Sequence, residues 1–198
     1  MPTPAKTPAA PLATVRCKDT QAFQKWLAKH HAGSPGVWLQ IAKKDSGIAS
    51  VTNAEALHAA LCYGWIDGQR NSMDAQYFLQ KFTPRRARST WSKVNCAKAL
   101  ALIESGDMQP AGLVEVERAK ADGRWDAAYD AQSKMTVPDD LTALLKKSVK
   151  AKAFFESLDS RNRFAILFRL QTAKKAETRE RRLLKFFDML KRGEKIYP

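Results

Sequence analysis

The sequence predicts an α+β protein, with a small antiparallel sheet packed by helices in the first half and a helical second half. Three observations predict it. Val37, Leu39 and Ile41 alternate with Trp38, Gln40 and Ala42, the period of a half-buried strand. Residues 64–69 and 77–82 read as two more strands, joined by the polar stretch 70–74. After Pro84, apolar residues recur at helical spacing to the end of the chain. The clearest case is Leu183, Phe186, Phe187 and Leu190, an i, i+3, i+4, i+7 stripe.

The elements follow in order. Residues 1–16 carry Pro2, Pro4, Pro8 and Pro11 among small side chains and read as a disordered tail, poor in apolar mass and in backbone donors. Asp19 or Thr20 caps a helix with Phe23, Trp26 and Leu27 on one face, broken at Gly33 to Gly36. The first strand ends at the turn Asp45-Ser46-Gly47. Thr52 and Glu55 form a capping box for a helix that holds Leu57, Ala60 and Leu61 and stops at Gly64. Ser89 caps a helix through Ile103, stopped at Gly106. Pro110 opens another to about Ala121, stopped at Gly123, and residues 124–134 give no clear pattern. Helices then follow at Leu141, Leu144 and Leu145 after Pro138, at Phe154, Phe155 and Leu158, at Phe164, Leu167 and Phe168, and over about 177–192, ended by Gly193. The predicted organisation is a tail at 1–16, an α+β domain at 17–135 and a helical C-terminal region at 136–198.

Composition excludes several function classes. With 198 residues, 44% of them hydrophobic, the chain can build a core without disulfides or metal. No run of about 18 apolar residues occurs, so a helical membrane span is excluded. The start has no apolar leader, and the expectation is a cytoplasmic protein. Cys17, Cys62 and Cys96 are odd in number and widely spaced, which fits a reducing compartment. Phosphate-binding glycine loops and hydrolase or zinc-protease motifs are absent. His30 and His31 point about 100° apart on a helix, and His58 stands alone, so no metal and no cofactor are expected. Carboxylates form no recognisable acid/base couple. A binding protein is therefore favoured over an enzyme. Lys and Arg number 34 against 20 Asp and Glu, a formal charge of +14 that draws polyanions.

Three features are singled out as candidate sites. Asp67 and Gly68 sit inside an apparent strand, where both types are disfavoured. Either the strand bulges and Asp67 bonds backbone donors, or Asp67 is a fixed carboxylate paired with an arginine. Residues 75–103 contain no acid, yet hold Lys81, Arg85, Arg86, Arg88, Lys93 and Lys98 interleaved with Tyr77, Phe78, Phe82 and Trp91. That pattern suits phosphate contacts with base stacking, and it equally suits a solvated basic face over a core edge. Trp65, Asp67, Arg85, Arg86, Ser89, Trp91 and Asn95 are the candidates for one cleft. Third, residues 161–198 hold twelve basic side chains against four acidic ones, and Lys175, Arg179 and Arg182 share a helical face. That face either docks an acidic partner, polyanion or anionic lipid, or one of its arginines anchors a buried carboxylate of the first half.

The motifs that carry a resemblance are Trp65-Ile66-Asp67-Gly68, Phe82-Thr83-Pro84-Arg85-Arg86 with Ser89, Trp91, Ser92 and Asn95, then Gly106 with Met108 and Pro110 to Leu113. Ala119-Lys120, Gly123-Arg124-Trp125, Ala173-Lys174, Glu177-Thr178-Arg179 and Arg182 complete them. In this order, over about 36–193, the chain resembles the YdeI/OmpD-associated family, also labelled bacteriocin-protection proteins. More distantly it resembles the YjbR/CyaY-like superfamily. The resemblance implies a bacterial protein with a compact α/β core and a role in envelope stress or bacteriocin tolerance. Frataxins of the superfamily bind iron on an acidic ridge, and no acidic cluster here corresponds to it. The expected function is a non-enzymatic, soluble protein that binds an anionic or protein partner through basic surfaces. The alternatives are a sequence-tolerant DNA or RNA binder, and an enzyme with a cleft around Asp67 and Arg85/Arg86.

Overall fold

The computed structural model describes residues 11–198. The chain divides into two compact units. The first comprises the chain through Ser89 together with Ala97–Trp125, and the second comprises Thr90–Cys96 with Asp126–Pro198. Most of the expected tail, residues 1–10, lies outside the described residues.

In the first unit, strands β1 (Thr14–Arg16), β2 (Val37–Ala42), β3 (Trp65–Ser72) and β4 (Tyr77–Pro84) form one sheet in the order β1-β2-β4-β3. The three longer strands pair antiparallel, as expected for the first half. The sheet as a whole is mixed, because β1 pairs parallel with β2. This corrects the reading of residues 14–16 as part of a disordered tail. The segment is short and has a single apolar side chain, Val15, but its backbone completes the hydrogen bonding of an edge that β2 would otherwise leave open.

The sheet has two unlike faces. Val37, Leu39 and Phe82 are wholly buried on one of them. Helices α1 (Thr20–His30) and α2 (Asn53–Cys62) cover that face, with Phe23 against Phe82 and Trp26 edge-on to Trp65. Both helices start where their caps predict. Asp19 accepts from the Ala22 amide, and Thr52 with Glu55 forms the reciprocal box. Gly64 ends α2 at a positive φ and lies against the Ala111 carbonyl of α4 (Pro110–Ala121). Gly112 of α4 abuts the Cys62 carbonyl and the Met108 sulfur so closely that a Cβ there has no room. Helix α3 runs Lys93–Glu104. It starts later than expected, because Ser89 closes a turn with Arg86 while Ser92 Oγ accepts from the Asn95 amide.

The second unit is helical: α5 (Asp139–Lys146), α6 (Val149–Ser157), α7 (Ser160–Gln171) and α8 (Ala176–Arg192). Their apolar stripes meet in one core around Leu141, Phe155, Ile166, Leu170 and Leu190. Leu183 and Phe186 join it as the stripe predicts, with Phe187 at its margin. Asn162 is buried and polar, and it has full partners. Its side-chain amide donates to Asp159 and to the Tyr197 carbonyl, and its oxygen accepts from the Tyr197 amide. Residues 124–134 resolve into turns and a short 3-10 turn, Gln132–Lys134, with Ser92 bridged to Tyr129. Among the described residues, no helix is long and apolar enough to cross a membrane.

Candidate functional site

Asp67 sits on the covered side of the sheet, in register with Phe82, where β3 slips against β4 between Asp67 and Arg70. The bulge is filled by a residue that sequence reasoning missed. Gln80 is buried, and its Nε2 donates to the Gly68 carbonyl at 3.0 Å, with Gln69 and Lys81 carbonyls slightly farther off. One buried amide thus satisfies carbonyls that the bulge takes out of the ladder. Burial pushes the Asp67 carboxyl above the usual carboxylate range. Its own backbone N–H, Lys98 and Arg85 pull it back only in part. The group is therefore a half-buried carboxyl whose ionisation is disfavoured, with cationic neighbours acting through charge.

The other cleft candidates distribute as follows. Trp65 is a core side chain, packed on Trp26, with its indole N–H donating to the His31 carbonyl. Arg85 is buried, and its amide donates to the Gly64 carbonyl. Arg86 and Ser89 meet in a turn, the Arg86 amide donating to Ser89 Oγ at 2.9 Å. Buried Arg124 holds that turn from below: its Nη1 donates to the Ser89 carbonyl and its Nε to the Asp122 carboxylate. Trp91 and Asn95 belong to the second unit, where Trp91 is buried and Asn95 lies in the first turn of α3. Charge thus links Asp67 to Arg85, a turn links Arg86 to Ser89, and Trp65 belongs to the core.

The basic face of α8 is engaged inside its own unit. Arg179 makes a two-pronged ion pair with Asp140 of α5, at 2.9 and 3.0 Å. Its Nη1 also donates to the Leu170 carbonyl at 2.7 Å, and Arg182 donates to the Arg169 carbonyl at 2.6 Å. Those carbonyls belong to the last turn of α7, where helical donors run out, and Leu170 accepts in addition from the Ala173 amide at 3.3 Å. The carboxylate that Arg179 holds thus comes from the second half, not the first. Lys175 sits at the cap position of α8 and is exposed.

A different basic surface emerges on the open side of the sheet. Alternation turns Trp38, Gln40 and Ala42 of β2 and Tyr77, Leu79 and Lys81 of β4 to this face. Trp38 is in register with Lys81, whose ammonium lies 5.7 Å from the indole. Arg16 of β1 crosses the small Ala42 and lies 5.1 Å from the Tyr77 ring. Neither cation has a carboxylate within ion-pair reach among the described residues. At the rim of the sheet, a cavity of about 380 Å³ has Lys43, Lys44 and Arg70 in its wall, with Arg70 stacked on Phe78 at 3.7 Å. Sequence reasoning saw Lys81 and Tyr77 in the acid-free stretch. It missed Trp38 and Arg16, although the strand alternation already separated Trp38 from the core residues.

The three cysteines are free and buried, burial raises Cys17, and Cys62 is pushed up to about 11 by burial with help from Asp107. Among the described residues, no group of three or more His, Cys, Asp or Glu is placed to hold a metal ion.

Two family models match the chain. One, described as a domain of unknown function (DUF8412), covers residues 15–115. The other, described as bacteriocin-protection, YdeI or OmpD-associated, covers residues 134–193. The resemblance read over 36–193 is therefore met by that family in the C-terminal region, while the first half falls to a different model. The more distant YjbR/CyaY-like resemblance finds no support. No curated protein and no solved structure matches the chain.

Proposed function

We propose, for a chain that belongs to the family described as a domain of unknown function (DUF8412), that it is a non-enzymatic binding protein of bacteriocin tolerance whose open sheet face holds an anionic partner. The tolerance role is supported by the bacteriocin-protection match at residues 134–193. The binding role is carried by one observation: Lys81 and Arg16 lie over aromatic rings on a sheet face, with no carboxylate paired to either. An unpaired surface cation keeps its full attraction for an incoming anion, whereas one already held by a carboxylate must first lose that bond. The net charge of +14 adds long-range attraction that salt screens.

The test is binding of fluorescently labelled polyphosphate to the full chain at rising salt. The double variant R16E/K81E is expected to lose at least tenfold in affinity, while reversal of exposed Lys185 on α8 loses far less. Equal losses in the two variants overturn the assignment to this face. A second reading is an enzyme with Asp67 as proton donor. It is favoured by the raised carboxyl beside Arg85, a combination that active sites use.

A further inference from the structure

Resting on that reading of the sheet face, we infer that the anionic partner is a single-stranded nucleic acid, with a base stacked on half-exposed Trp38 and its phosphates held by Lys81 and by Arg16 above the buried Tyr77 ring. Charge alone would suit an acidic protein or an anionic lipid. The pairing of each cation with a ring is what singles out a partner with both charge and a flat π-face. Lys81 rests over Trp38, and Arg16 over Tyr77. Lys81 lies over the half-exposed Trp38 ring, whereas Tyr77 is buried and Arg16 lies over its edge of the face. At Trp38 a base can take the place of Lys81, which then meets a phosphate, so that both halves of that pair are used, while Arg16 offers its charge alone.

The register sets the spacing. Trp38 opposes Lys81 and Ala42 opposes Tyr77, so the two ring positions lie four residues apart along the strands, about 13 Å. Gln40 and Leu79 lie between them as a register pair. Gln40 offers a donor and an acceptor to base edges or sugar hydroxyls, and Leu79 offers apolar contact. The form of the surface decides between duplex and single strand. A duplex groove takes a helix or a two-stranded ribbon, while the broad face of a four-stranded sheet suits splayed, unstacked bases.

The experiment uses the full chain and a labelled single strand of mixed sequence, about 12 nucleotides long, within the roughly 4–16 that one sheet-based module covers. Competitors are the matching duplex, polyphosphate and phosphatidylglycerol vesicles. The single strand is expected to bind best. Trp38→Ala is expected to weaken it about tenfold or more, and Trp38→Phe to restore most of the loss. Arg16→Gln, at an exposed side chain, is expected to lower the log–log salt slope by about 0.7. If Trp38→Ala leaves the affinity of a protein with unchanged melting intact, or polyphosphate or vesicles compete as well as the single strand, the nucleic-acid assignment falls and anion binding stands. If Trp38→Ala does not fold, an unchanged slope in Arg16→Gln sinks the assignment on its own. If neither strand nor polyphosphate binds, the reading of the face as an anion site falls with it.

Discussion

The two units use their cations in opposite ways. In the second unit the arginines that look most available are bonded inward: Arg179 to Asp140 and the Leu170 carbonyl, Arg182 to the Arg169 carbonyl. Arg169 itself donates to the Ala165 carbonyl and the Tyr197 hydroxyl. In the first unit Arg16 and Lys81 lie outward on rings, with no carboxylate on them. Both units are rich in positive charge, and exposed lysines such as Lys175 and Lys185 remain on α8, but the ring-backed cations of the sheet face differ from the arginines of α8 in having no hydrogen-bonded partner among the described residues. Net charge is a property of the whole chain, and hydrogen-bond accounting separates the cations already bonded within it from those that are not.

Substitutions can sharpen or break this contrast. The largest effect is expected at Gly112, where a Cβ meets the Cys62 carbonyl and the Met108 sulfur. Gly112→Ala is expected to cost about 3 kcal/mol by urea titration, through a forced separation of α2 and α4. It sets the scale for a structural role in the first unit. Next comes Arg179→Ala, which leaves Asp140 without its cation and takes one donor from the Leu170 carbonyl, while the Leu141 and Ala173 amides still reach them. A loss of about 1–2 kcal/mol is expected, discounted for partial exposure of the pair. An Arg179→Ala protein that melts like the parent while binding less polyanion would reverse the contrast.

Asp67 gives a pH test. Its folded-state pKa is raised, so the folded state resists its ionisation. That cost is absent at pH below the unfolded carboxylate value, and it grows as pH rises through the folded value. Asp67→Asn is expected to stabilise the protein at neutral pH, with the gain fading as pH falls through the carboxylate range. A constant difference at all pH values would show that the amide acts by packing. The smallest effect on stability, about 0–1 kcal/mol, is expected for Lys81→Glu, in a protein whose polyanion binding is strongly reduced.

How much of this could be read in advance depends on the range of the interaction. The caps at Asp19, at Thr52 with Glu55, and the stop at Gly64 were legible, because each is settled within about one helical turn. The stripe of α8 was legible for the same reason. β1 was not, since a three-residue strand is stable only against β2, more than twenty residues away. The same limit applies to the site. The pairing of Trp38 with Lys81 needs the register of β2 on β4, and that of Arg179 with Asp140 spans 39 positions. The bulge at Asp67 was visible as a local oddity, but the Gln80 amide that fills it carries no sequence mark.

The three cysteines have a practical consequence. Alkylating reagents attack thiolates, and Cys17 and Cys62 are buried thiols whose ionisation is disfavoured, Cys62 up to about 11. Cys96 is equally shut off from solvent and belongs to the other unit. The chain therefore carries native clocks for local opening, two in the first unit and one in the second. Pulsed maleimide labelling, read by peptide mass, would time the opening of each unit separately without any engineered probe. A reactive cysteine introduced on the open sheet face would stand out against that silent background.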